Sequence, residues 1–395
     1  VAKIEAAKEE QELDKARKKA DQSAEKTRMA MLEQLQKTLG KDGISFASDS
    51  PAFPDVISTG NAPLDRLLTP DIYEKTGKGG VPRGVVAEFY GPYSGGKSSL
   101  CLMLAKTVTQ AKENVLWLDC ENSFVNSWAE SQGVDLDRVL KVEQSIGKSG
   151  EDFLQALEQS VVKGYFTLAV VDSVAGLVPK GILDSDMNEE ARIGALARMM
   201  SRALPRMATA AKAGKCTIIF VNQIRQKIGV MYGNPETTPG GEALKFFASL
   251  RIRLAQIGSK KERGIVKEGE EIGIRSNIQV VKSRFGRPYR ECVLPIYYTS
   301  ERPKLIELLL DECLVNKVIK CKTKKRDDDS VHYFTLDGIP DLTGVEGLDE
   351  FKDRLKAEHV KEMVKRLQDM KIGIDAEIVA FAGGLKSDDP LKDCF

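Results

Sequence analysis

The chain has 395 residues, 42% hydrophobic and 30% charged, enough to bury a sizeable core and to form one large domain with smaller appendages. Its 59 basic and 58 acidic residues leave a net charge of +1, which excludes a general attraction to polyanions, so a nucleic-acid site has to be a local concentration of Lys and Arg. No apolar run approaches the roughly 18–20 residues that cross a bilayer, the charged first residues lack the apolar stretch of a signal peptide, and the seven cysteines show no CxxC or Cys/His ligand spacing; the expected setting is a reducing cytoplasm with no membrane partner.

Residues 1–40 are rich in Ala, Glu, Lys and Gln and contain no Pro, a composition that favours a solvated helix. Apolar positions gather at Met29, Met31, Leu32, Leu35 and Leu39 with helical spacing, either a plain surface stripe or a docking arm for a neighbouring subunit. DGISFASDSPAFPDV then reads as a linker, and residues 1–55 form a charged helix plus linker. Over 56–300, VVAEFYG, NVLWLDC, TLAVVDS, CTIIFVNQ, SLRIRLAQ and NIQVVKS are strand candidates separated by helical stretches. Several lack polar alternation, as strands covered on both faces do, which predicts an α/β fold around a central, mostly parallel, twisted sheet. Residues 301–395, with LIELLLDECLVNKVIK, the charged turn KTKKRDDDS and EGLDEFKDRLKAEHVKEMVKRLQDM, read as a small C-terminal domain, helix-rich or α/β.

The most informative stretch is EFYGPYSGGKSSLCLMLAKTV. Gly91, Gly96, Lys97 and Ser98 fit GxxxxGK[ST] between a strand and a helix, the context in which such a loop cradles phosphates. Glycines let successive N–H groups turn inward, and the helix start adds its positive dipole end. Lys97 is placed to meet β and γ phosphates and Ser98 to ligate Mg²⁺; the plain alternative is an ordinary βα turn. Asp172 ends the strand TLAVVD and suits the second Mg²⁺ contact, although a strand-terminal Asp also serves as a helix cap. Glu121 in LDCEN and Gln223 in FVNQIR lie past further strand ends, as a water-activating base and a γ-phosphate sensor or as satisfied loop polar groups.

GPYSGGKSSL, LDCEN, VVDSVAGLVPK, ALARMMSRAL and, above all, FVNQIRQKIGVMYGNPETTPGGEALKFFAS closely resemble the bacterial RecA recombinase family, over roughly residues 28–300. The resemblance implies a RecA-type P-loop NTPase core with an N-terminal helical polymerisation arm. It also implies a DNA-dependent ATPase that forms ATP-bound helical filaments on single-stranded DNA, pairs it with homologous duplex and exchanges strands in recombinational DNA repair. ATP and Mg²⁺ are the implied cofactors, and single-strand-binding and mediator proteins are further expected partners. Nucleotide contacts implied by the likeness are Gly91, Pro92, Tyr93, Ser94, Gly95, Gly96, Lys97, Ser98, Ser99 and Asp172, with Trp128 stacking on adenine and Ser98 and Asp172 on the metal. Glu121 becomes the general base and Gln223 the γ-phosphate switch. Lys282 and Arg284 become cations that reach a neighbouring subunit's γ phosphate, Arg284 standing where lysine is usual.

For DNA the likeness points to two loops, one between Pro179 and Ala197 and one from Asn222 to about Gly241. It implies contacts from Ile193, Arg198, Ser201, Arg206, Arg225, Lys227, Ile228, Gly229, Val230, Gly240 and Gly241, with Ile193 and Ile228 wedging between base triplets. Tyr232 replaces the second loop's usual phenylalanine. Pro205 stands where the family has a phosphate-contacting arginine, and Arg206 beside it is the expected substitute. Basic positions of the secondary duplex site fall on uncharged Gln256, Asn277 and Gln279, and the tail lacks the strongly acidic end common in the family. A ring helicase or packaging motor, and an ATP switch that recruits partners without recombination, are the rival readings.

Overall fold

The computed structural model describes residues 2–40, 51–144, 147–183, 189–226, 236–258, 264–267, 270–298, 317–326 and 329–369, with positions 44, 48, 306, 309, 310, 313, 314, 382 and 385 besides. The chain divides into two units, Val1–Pro54 and Asp55–Phe395. The first is dominated by helix α1 (Ala2–Leu39), built from strong helix formers and followed by Gly40 with a φ of 90°. Met31, Leu35 and Leu39, four residues apart, lie on one exposed stripe of that helix.

The second unit opens with β1 (Val56–Ile57), α2 (Ala62–Leu68), α3 (Pro70–Thr76) and β2 (Val81–Pro82), the two short strands pairing antiparallel. An α/β alternation follows: β3 (Val86–Gly91), α4 (Lys97–Gln110), β4 (Val115–Asp119), α5 (Asn126–Ser131), β5 (Val139–Glu143), α6 (Gly150–Val161), β6 (Leu168–Asp172), α7 (Lys180–Leu183), α8 (Glu189–Gly214) and β7 (Thr217–Gln223). Then come the short antiparallel pair β8 (Arg225–Gln226) and β9 (Glu236–Thr237), α9 (Ala243–Phe247), β10 (Leu250–Gln256), β11 (Gly264–Lys267), β12 (Glu270–Ser283) and β13 (Arg290–Tyr297). In the sheet the strands run β5-β4-β6-β7-β3-β10-β12, parallel from β5 to β10. Strand β12 is antiparallel to β10 and to β11 along one edge and to β13 along the other.

Both faces of the parallel part are covered. Leu168 and Val170 of β6 and Val115 and Trp117 of β4 face a core filled by Leu100, Leu104 and Val108 of α4. Ala169, Val171, Leu116 and Leu118 face the opposite core, filled by Leu154 and Leu157 of α6 and Met200 and Leu204 of α8. Double burial accounts for the absence of polar alternation in these strands. Helix α6 starts where Ser149 and Asp152 form a reciprocal capping box, and its buried Phe153, Leu154, Leu157 and Val161 recur at helical spacing.

All six strands expected from the sequence are present, and further strands join them. Strand β13 contains Pro295, which reads as a strand breaker; it is tolerated because, among the described residues, β13 pairs with β12 alone, with Pro295 opposite Arg275. The edge strand β5 alternates too weakly to stand out, with Leu140 exposed. The supposed turn KTKKRDDDS is a correction: Lys322–Arg326 continue strand β14 (Ile319–Arg326), which pairs with β15 (Asp329–Leu336), and β15 with β16 (Val345–Glu346). Alternation decides it, since Ile319, Phe334, Leu336 and Val345 face a separate core shared with Phe351, Val360, Met363 and Leu367 of the helices Leu348–Asp353 and Ala357–Asp369. Lys320 and Lys322 alternate to the other, exposed face. Truncation of Phe89, fully buried in β3 at the sheet centre, should cost about 3–5 kcal/mol in urea unfolding, the usual range for Phe→Ala in a core.

Candidate nucleotide site and DNA-facing elements

The parallel register brings the predicted residues to one rim. Gly91 at the end of β3 lies level with Gln223 at the end of β7, and Asp119 at the end of β4 lies level with Asp172 at the end of β6. These are the carboxyl ends of the strands, beside the point where the chain leaves β3 and returns three places away at β4.

The loop after β3 is seated on the antiparallel extension of the sheet. A Cβ on Gly91 would lie 1.9 Å from the Leu254 carbonyl oxygen, so only glycine allows this approach to β10. Gly96 has a φ of +87°, and a Cβ there would lie 2.1 Å from Cδ1 of Ile296 in β13. Two further side chains hold the loop's carbonyls: Ser276 Oγ donates to Gly95 at 3.0 Å and Gln256 Nε2 to Ser94 at 3.0 Å. Gln256, where the family likeness expects a DNA-contacting cation, thus meets the phosphate loop. Tyr93 in the same loop is 76% exposed. Helix α4 begins at Gly96 with no side-chain cap and no acidic residue in its first turn, which leaves its first N–H groups and dipole end to an anion.

Lys97 is 9% exposed, and its Nζ donates to the carbonyls of Gly91 at 3.2 Å and Pro92 at 2.7 Å. Burial pushes its pKa down, opposed by the charges of Asp172 and Glu121. Ser98 Oγ donates to Asp172 Oδ2 at 2.7 Å. Asp172 is 4% exposed, and its pKa is pushed up to about 6, first by burial and then by Glu121 and Asp119, against the Ser98 hydrogen bond and Lys97. The peptide bond from Asp172 to Ser173 is cis. One oxygen of Glu121 accepts from Ser173 Oγ and from Gln223 Nε2, the latter at 3.0 Å. The predicted base and the predicted sensor are therefore in direct contact.

Two participants escaped the sequence reading. Ser173 orients Glu121, and its place directly after Asp172 was the available signal. Asp119, 1% exposed, accepts from the backbone N–H groups of Ser123 at 2.9 Å and Phe124 at 2.8 Å, which folds the segment that carries Glu121. Trp128 of α5 is half-buried against the α4-side core. Ser98 and Asp172 offer Mg²⁺ two hard oxygen donors side by side, and among the described residues no cluster of three or more His, Cys, Asp or Glu forms a cage. That set suits an ion that takes its remaining ligands from phosphate and water.

Of the residues expected to meet DNA, Arg198 and Ser201 are exposed on α8, with Ser201 Oγ donating to the Ala197 carbonyl at 2.8 Å. Ile193 lies in the same helix. Arg206, about two turns from the helix end, forms a two-pronged ion pair with Glu158 of α6 at 2.6 Å and 3.1 Å. Arg225 is exposed in β8, at the foot of the second loop, while Lys227, Ile228, Gly229 and Val230 lie outside the described residues. Gly240 and Gly241 have φ of +90° and +76°; a Cβ on Gly241 would lie 2.9 Å from Cβ of Ala197, so the loop's return presses on α8. Lys282 Nζ donates to the carbonyls of Lys245 at 2.8 Å and Phe246 at 2.7 Å, at the end of α9, while Arg284 is exposed.

The buried Asp172 gives a pH signature. Its folded carboxyl holds a proton up to about pH 6, against 3.8 for the free group, so stability falls as pH rises through that window and is level above it. Asp172→Asn should therefore stabilise the chain at pH 7.5 by an amount on the order of 1–3 kcal/mol and give no gain below pH 4, as read by thermal unfolding without nucleotide.

The RecA N-terminal domain model matches residues 26–301. Protein RecA of Acinetobacter baumannii is 36% identical over 302 residues, covering 75% of this chain and 81% of that protein. Protein RecA of Geobacter sulfurreducens is 37% identical over 302 residues, covering 75% and 84%. A more distant neighbour is the crystal structure of the RadB recombinase, with a TM-score of 0.45 and 21% identity over 62% of this chain and 97% of that one. With the phosphate loop, the paired Ser98 and Asp172 and the parallel sheet already in place, the matches over three quarters of its length make this chain a member of the RecA family.

Proposed function

We propose that the chain is a DNA-dependent ATPase and homologous recombinase: bound to ATP it assembles as a helical filament on single-stranded DNA, pairs that strand with homologous duplex and promotes strand exchange in recombinational repair, in the cytoplasm. The contact between Gln223 Nε2 and Glu121 at 3.0 Å is the observation that carries this reading. It supports the reading because Glu121, the proposed water-activating group, touches Gln223, from which the proposed second DNA loop departs.

In this reading the N–H groups at the start of α4 and Lys97 receive the β and γ phosphates. Ser98 and Asp172 would hold Mg²⁺, which when bound neutralises phosphate charge. Glu121 takes the proton from the attacking water, with Ser173 fixing its orientation. Gln223 turns from Glu121 toward the γ phosphate, and its backbone carries that change into the loop that begins at Arg225. Trp128 stacks on adenine, and Arg198, Arg225 and the Gly240–Gly241 turn meet the DNA backbone.

The remaining roles belong to the assembly. The stripe on α1, within an arm of residues 1–55, docks on a neighbouring subunit, while 56–300 form the ATPase core and 301–395 the C-terminal domain. Lys282 leaves the α9 carbonyls to join Arg284 at the neighbour's nucleotide. Single-strand-binding and mediator proteins are the natural loading partners. Among the described residues no helix is long and apolar enough to cross a membrane.

ATP hydrolysis measured with and without single-stranded DNA tests the proposal. The wild-type chain should be stimulated at least about 10-fold, and Gln223→Ala should bind ATP normally yet lose the response. Lys97→Ala should lower kcat by about 100-fold or more, the scale of losing a charge-stabilising donor. A chain that stays monomeric in electron micrographs with ATP, Mg²⁺ and oligonucleotide present contradicts the filament.

A further inference from the structure

On the sheet face away from α4, β3, β7 and β10 carry the buried polar side chains of Glu88, Asn222 and Arg251. Glu88 in β3 and Asn222 in β7 have no exposed surface, and Arg251 in β10 is 9% exposed. Arg251 Nε donates to Glu88 Oε2 at 2.6 Å, and its guanidinium lies 4.7 Å from the ring centroid of Tyr90. The other Glu88 oxygen accepts from Asn222 Nδ2 at 3.0 Å. The same Nδ2 donates to the Pro239 carbonyl at 3.0 Å, and Asn222 Oδ1 accepts from the backbone N–H of Gln223 at 3.1 Å.

A buried ion pair is a poor device for stability, because desolvation offsets most of its attraction. What this one does supply is direction. Its carboxylate fixes the Asn222 amide, and that amide holds both ends of the second loop, the departure at Gln223 and the return at Pro239. On the far side Arg251 stands opposite Lys282 in the β10–β12 register. We infer that Glu88, which touches neither nucleotide nor DNA, is a positioning residue that couples the phosphate strand to the second loop through Asn222. This rests on the proposed reading of the site.

Glu88→Gln tests the coupling. A Gln side chain has one acceptor for two donors; the Arg251 cation takes it, and the Gln NH₂ is turned against the Asn222 NH₂, which breaks the link. DNA-stimulated kcat should fall at least 10-fold, with the KM for ATP and DNA-free hydrolysis within about 2-fold of wild type. Glu88→Gln/Arg251→Gln leaves no unpaired cation and lets the residue 88 carbonyl face Asn222 again, so stimulation should return to within about 3-fold of wild type. Full stimulation in the single variant, or none in the folded double variant, overturns the inference. A wild-type chain with no DNA response overturns it together with the function on which it rests, so the two failures are told apart by the wild-type control.

Discussion

The level endings of two pairs of parallel strands, β3 with β7 and β4 with β6, are the constraint on which the site depends. Hydrogen bonding between β3 and β7 sets Gly91 beside Gln223, and the pairing of β4 with β6 sets Asp119 beside Asp172. A slip of one residue in either pair would turn alternate side chains to the other face and lift the terminal ones out of reach. The double burial of these strands guards against that slip, because each inward side chain has a filled slot in one core or the other. Stability of the sheet and alignment of the chemistry are the same fact.

The phosphate loop adds a second constraint. It leans on β10, β12 and β13, with Gly91 against the Leu254 carbonyl, Gly96 against Ile296, and the loop's own carbonyls held by Gln256 and Ser276. Those three strands, and the turn between the last two, also carry Arg251, Lys282 and Arg284. A force on the hairpin of β12 and β13 therefore meets the loop through the side chains of Ser276 and Ile296. Gln256 has left the role of a surface cation for one inside this support.

The electrostatics of the rim are one-sided. Asp119, Glu121 and Asp172 converge near Lys97, and burial makes the charges of Asp172 and Lys97 costly. Such a site gains from a divalent cation and from the phosphates that accompany it. Hydroxyls do the fine positioning: Ser98 holds Asp172, and Ser173 holds Glu121.

The sequence alone determined the loop, its flanking strand and helix, the acids at the strand ends and the family, because each is a local pattern: glycines for a tight anion-binding turn, apolar runs for doubly covered strands. It determined much less of how they meet. Nothing local to Glu121 or Gln223 says that they touch, since 102 positions separate them and only the order of strands in the sheet brings them together. The pairing of Arg206 with Glu158 and the burial of Glu88 between Arg251 and Asn222 belong to the same class. A charged residue read along the chain is expected at the surface; whether it has a partner in the interior is settled by tertiary packing, which alone supplies the opposite charge and removes the water.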